Sequence, residues 1–89
     1  MNDSQFAEMI RNRDKVCRVC YSAGSDVHHI FSRKNQKTRH LEENGIFLCR
    51  NCHNAAHIYG RRWVEAVEPL MVVLYGADWL EKLEKKVFQ

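Results

Sequence analysis

The sequence has no long apolar run. Its longest, Leu70 to Tyr75, is far shorter than the ~20 residues that cross a bilayer, so no membrane span is expected. The opening stretch, Met1-Asn2-Asp3-Ser4-Gln5, is polar and lacks the apolar core of a secretory signal. The expected location is therefore the cytoplasm. Length is lacking too. A chain of 89 residues makes one small domain and leaves no room for a separate recognition module. Specificity beyond what one small domain can supply would then need a protein partner. A domain this small buries little surface and often needs a staple such as a metal ion. A large excess of one charge is also missing, for the formal net charge is only +3. Its distribution says more: residues 1–60 hold nine Lys/Arg against six Asp/Glu, and residues 61–89 hold five of each. The positive excess lies in the half that carries the cysteines and histidines, which suits a polyanionic partner.

Cysteine, by contrast, is present in two Cys-x-x-Cys pairs, Cys17/Cys20 and Cys49/Cys52. In a reducing compartment paired spacing argues for metal rather than disulfides. Two thiolates on each of two tight turns make a tetrahedral structural zinc site. The competing assignment joins Cys17 and Cys20 to His53 and His57. It needs a gap far longer than the ~12–15 residues of such fingers, and it leaves Cys49 and Cys52 without a role.

The flanking segments read as helices. Asp3 or Ser4 can cap a helix over 4–13 that places Phe6, Met9 and Ile10 on one face. Gly24 sits in turn chemistry and is free to take positive φ. Residues 61–75 form a helical stretch with Trp63, Val64, Val67, Leu70, Met71 and Leu74 on its apolar face. The only proline, Pro69, should kink or restart it near Glu68. Gly76 ends it, and Asp78 can cap an amphipathic helix with Leu80, Leu83 and Val87 on one side and a Glu81/Lys85 pair. These helices either support the core or present a face to a partner.

Between the cysteine pairs, Val27-His28-His29-Ile30-Phe31 has strand composition. Adjacent strand residues point to opposite faces, so His28 and His29 should have different tasks. Arg33, Lys34, Lys37 and Arg39 follow in a polar loop with no acid until Glu42. Such a cluster either holds phosphates or is a solvated loop. Asn44-Gly45 reads as a turn. Ile46-Phe47-Leu48 reads as a second strand pairing with the first. A helix over 50–59, stopped by Gly60, puts His53 and His57 four residues apart on one face, where both can reach one ion.

This order of residues resembles the HNH nuclease family of phage and bacterial type, in its zinc-stapled branch. The resemblance rests on Val27-His28-His29-Ile30, Asn44-Gly45-Ile46-Phe47-Leu48-Cys49, Cys52-His53 and His57, between the two Cys-x-x-Cys pairs. The spacing is also similar to that of colicin-type nuclease domains. The resemblance implies a small α+β protein, a ββα-metal core with a Cys₄ zinc site, flanked by helices at both ends. One domain is implied, with an N-terminal helix in 1–16, the core in 17–60 and supporting helices in 61–89. It implies a DNA endonuclease, with one site per chain as in a nickase, in a bacterial or phage-infected cell. His29 would be the general base. His28, His53 and His57 would hold a catalytic divalent ion: Mg²⁺, Mn²⁺, Ni²⁺ or Zn²⁺. Asn44, across the ribbon from His29, would fix the hairpin loop and the ring. Arg39 would add charge at the phosphate. Many members of the family have Asp where this chain has His28, and an all-nitrogen set favours Zn²⁺, Ni²⁺ or Mn²⁺ over Mg²⁺. The reading from a different class is a zinc-stapled nucleic-acid-binding module without catalysis, with a protein–protein adaptor as a third.

Overall fold

The computed structural model describes residues 1–88. Helix α1 spans Asp3–Asp14. Its cap is Asn2, one residue before the expected Asp3. The Asn2 side chain accepts from the Gln5 amide at 2.8 Å, and the Gln5 side chain accepts from the Asn2 amide at 2.9 Å. This reciprocal capping box satisfies two amide donors that the helix start would otherwise leave unpaired. Phe6 and Ile10 are buried, and Met9 packs beside them.

A cysteine turn follows α1. Tyr21, at φ 63°, takes the left-handed conformation expected of Gly24. Gly24 serves instead by lacking a side chain, since a Cβ there would sit 2.3 Å from the Phe47 ring.

Strand β1, Asp26–His29, pairs antiparallel with β2, Gly45–Leu48, in the register His28 opposite Ile46 and His29 opposite Gly45. Asn44 is therefore not across from His29, but one residue beyond the ladder. Nor does Asn44-Gly45 form the expected turn. Asn44 ends a 3₁₀ turn, Glu42–Asn44, and Gly45 is extended, at φ −121°. Gly45 is needed for close approach: a Cβ would meet Phe6 at 2.6 Å and Ile10 at 2.9 Å.

Helix α2, Arg50–Tyr59, ends at Gly60, whose φ of 56° suits glycine. A 3₁₀ turn, Gly60–Trp63, leads into α3, Val64–Tyr75. The break thus falls at Gly60, and α3 runs without interruption past Pro69. The proline leaves the Glu65 carbonyl without its helical partner, but both residues are exposed, so water can serve. Helix α4 spans Trp79–Val87. Asp78 stands at its cap position without a capping hydrogen bond and pairs with Lys82 at 3.3 Å instead. Glu81 and Lys85 pair as expected, also at 3.3 Å.

The ribbon is the middle layer. Phe47 on one face meets Phe6 and Ile10 of α1. Ile46 and Leu48 on the other meet Ala56 of α2, Trp63 and Val67. Met71, Trp79 and Leu83 form a third cluster joining α3 to α4, with Leu70, Val64 and Leu80 packed against it; Leu74 stays 43% exposed. The Trp79 indole donates to the Glu43 carbonyl at 2.8 Å, tying α4 to the loop ahead of β2. Among the described residues no helix is long and apolar enough to cross a membrane.

Candidate metal centres and the histidine cleft

The four cysteines come together where the turn after α1 meets the start of α2. One ligand atom from each of Cys17, Cys20, Cys49 and Cys52 lies within 4.8 Å of the others. The Cys20 and Cys49 sulfurs are 3.6 Å apart. A tetrahedral zinc site with ~2.3 Å zinc–sulfur bonds has edges of ~3.8 Å, so the cluster fits zinc. All four thiols are free of disulfides. The Cys49 thiol is pulled down to about 6, chiefly by the Cys52 backbone amide. Burial would raise the Cys17 thiol, but amides of Cys20, Cys49 and Val19 outweigh it and lower it. Burial and the neighbouring sulfurs push the Cys52 thiol up, which is the repulsion a bound cation relieves.

The histidines divide as strand alternation requires. His28 shares the face of Ile46 and turns toward α2, while His29 turns toward α1. Ligand nitrogens of His28, His53 and His57 lie within 4.8 Å of one another. The Nε2 atoms of His53 and His57 are 3.1 Å apart. Three imidazoles converging at this spacing suit one ion with ~2.0–2.1 Å bonds. His28 is 9% exposed and meets the edge of the Trp63 ring, centroids 5.2 Å apart. Burial first, then the neighbouring His53 and His57, lower it to about 4, so it is neutral near pH 7 as a ligand must be.

On the other face the His29 ring stacks on Phe6, centroids 5.0 Å apart. One ring nitrogen is bonded to the Arg39 backbone carbonyl. The other, Nε2, is covered and has no hydrogen-bond partner. Burial lowers the His29 pKa, and the Arg39 carbonyl partly opposes that. Asn44 is fully buried. It accepts from the Phe31 amide at 2.7 Å and donates to the Phe31 and Thr38 carbonyls at 3.1 and 3.0 Å. It thus staples the loop to the end of β1. Its action on His29 is indirect, through the loop whose next residue, Arg39, supplies the carbonyl.

The basic loop does not act as one cluster. Arg33 lines both cavities that border the histidines, of about 710 and 640 Å³. Lys34 and Lys37 are exposed and line neither. The Arg39 guanidinium is engaged by Asp3, which also meets His40 at 2.7 Å.

Sequence reasoning gave no place at the site to two acids. Asp26 meets the Nδ1 of His53 at 2.9 Å and the Arg50 guanidinium at 2.8 Å. The available signal was period two, since Asp26 lies two residues before His28 on the same strand face. The second, Asp3, is 36 residues from Arg39, and no local pattern links them.

A two-stranded ribbon and a helix around a histidine cluster, beside a four-cysteine knuckle, define a ββα-metal fold of α+β class. The family model for HNH endonuclease matches residues 16–58, the segment that holds the ribbon, nearly all of α2 and both clusters. Searches of curated proteins and of solved structures returned no significant match. The family supports a nuclease-type or nucleic-acid-binding role.

Proposed function

We propose that the chain acts as one unit that hydrolyses phosphodiester bonds in DNA, nicking one strand per encounter because it carries one histidine cluster. The observation that carries this reading is the division of the histidines: three converge on one face of the ribbon, and His29 stands alone on the other. His28, His53 and His57 fit a divalent ion, and Cys17, Cys20, Cys49 and Cys52 fit a structural zinc. The ion on the histidines, when bound, supplies positive charge to the scissile phosphate and to the departing 3′ oxygen.

His29 takes the proton of the attacking water on Nε2, since its other nitrogen is committed to the Arg39 carbonyl. The water oxygen bonds to phosphorus, the bond to the 3′ oxygen breaks, and that oxygen takes a proton from solvent. The products are a 5′ phosphate and a 3′ hydroxyl. Asn44 keeps the loop, and through it the ring, in one position. Arg33, which lines both cavities, contacts the phosphate backbone. The N-terminal helix and the helices of 61–89 support the unit.

One observation favours a binding module without catalysis: Nε2 of His29 is covered in this conformation, and its surroundings have to move before water can reach it. Plasmid nicking by wild type and His29→Ala, with Mn²⁺, Ni²⁺ or Mg²⁺ supplied, separates the two. The expected result is a loss of at least about 100-fold in the variant, the lower end of what a positioned general base contributes, with fold and metal content retained. Equal cutting by the variant removes His29 from the mechanism, and no cutting by either protein leaves the binding module.

A further inference from the structure

The 640 Å³ cavity beside the histidines is walled by Arg11, Arg33 and Arg50, with His29, His53 and His57 among them. Only two acids line it, Asp3 and Asp26, and each is already paired. Asp26 cannot leave without releasing His53, which it holds by Nδ1. Asp3 is different. It sits in the first turn of α1 with its side chain 51% exposed, and its two partners, Arg39 and His40, come from the loop. Both of its oxygens are used. Oδ1 meets the Arg39 Nε at 2.9 Å and the His40 Nε2 at 2.7 Å, and Oδ2 meets the second Arg39 nitrogen. A planar guanidinium gripping two oxygens of one anion, with an imidazole closing the third side, is also the donor set that recognises phosphate.

We infer that Arg39 and His40 form a backbone-phosphate site which the Asp3 carboxylate occupies in the free protein, and that binding DNA exchanges this carboxylate for a phosphate. The inference rests on the reading of DNA as the partner. The two partners hold the Asp3 carboxyl well below the usual range, so it stays anionic and competes at all pH values of interest. Phe6 lies on the same turn, stacked on His29. Release of Asp3 therefore also acts on the turn that carries the Phe6 ring stacked on His29.

The test is affinity for a labelled DNA duplex by fluorescence anisotropy, without added divalent ion so that no cutting occurs. Asp3→Asn should bind about 3- to 10-fold more tightly than wild type. Glu8→Gln removes the same charge from an exposed position later in α1 and should change affinity less than about 2-fold. In an Arg39→Ala background the gain from Asp3→Asn should vanish. Asp3→Ser, which keeps a good helix-start residue, replaces Asp3→Asn if that variant folds poorly. A gain equal to that of Glu8→Gln, no gain, or a gain that persists without Arg39 overturns the inference. The readout is binding alone. A protein that shows the gain but never cuts keeps this site and loses the nuclease reading, and one that cuts without the gain does the reverse.

Discussion

Asp26 shows how much one side chain can settle. It bridges Arg50 and His53, and in doing so it fixes which nitrogen of His53 faces the cluster. His53 first, then Arg50, hold its carboxyl below the usual range against the opposing pull of burial. An outer carboxylate of this kind sets the tautomer of a ligating imidazole and raises its basicity. Asp26→Asn should therefore weaken Mn²⁺ or Ni²⁺ binding at His28, His53 and His57 by about 10- to 100-fold, read by calorimetric titration, with zinc on the cysteines unchanged. Unchanged affinity would show that Asp26 serves Arg50 alone. At this scale much was legible. Period two separated His28 from His29, and i,i+4 spacing joined His53 to His57. The acid that meets Arg39 and the ring stacked on His29 were not, because both come from α1 across the fold, and sequence distance carries no trace of such contacts.

Elements are held in place around the ribbon largely by Arg13. From the last turn of α1 it donates to the Glu42 carbonyl at 2.8 Å, the Gly45 carbonyl at 2.7 Å and the Tyr75 hydroxyl at 2.9 Å. It is also paired with Asp14 at 2.7 Å, with side chains 11% and 1% exposed. Asp14 in turn accepts from the Phe47 amide at 2.9 Å. One side chain thereby joins α1, the 3₁₀ turn, β2 and α3. Arg13→Ala leaves Asp14 as a buried charge without its cation, held by the Phe47 amide alone, and breaking a buried pair in this way costs about 3–5 kcal/mol in comparable cases. Urea unfolding should show a loss of that size, whereas Arg61→Ala, which breaks an exposed pair with Glu84, should cost under about 1 kcal/mol. Equal losses would reduce Arg13 to a surface residue. From the sequence Arg13 reads as a solvated charge near the end of a docking helix, because its partners are backbone carbonyls that only the folded chain brings near. Helix existence was legible from spacing, and so was the stop at Gly60. A kink or restart within 61–75 was expected at Pro69. Helix α3 runs through it instead, because an exposed proline there disturbs nothing that is packed, and the chain changes direction ahead of α3, at Gly60–Trp63, where Trp63 is buried against the core.

For the whole molecule the question is which ion the fold depends on. The core is divided into three small clusters, and none of them alone spans the chain. The cysteine cluster joins the turn after α1 to the start of α2, two segments 29 residues apart in sequence, and Cys17 at its centre is fully buried. The histidine cluster opens to the cavities, and His57 is exposed. An ion held at the first cluster would therefore contribute its binding energy to folding, whereas one held at the second would act on a structure already formed. Graded chelation should remove the ion on the histidines first, with no change in far-UV circular dichroism. Loss of zinc from the cysteines should then bring cooperative loss of helix signal, and Cys49→Ser should reproduce it without chelator. Dichroism that stays unchanged once both ions are gone would mean that the ribbon and its helices hold together by packing alone, and the cysteines would need another explanation.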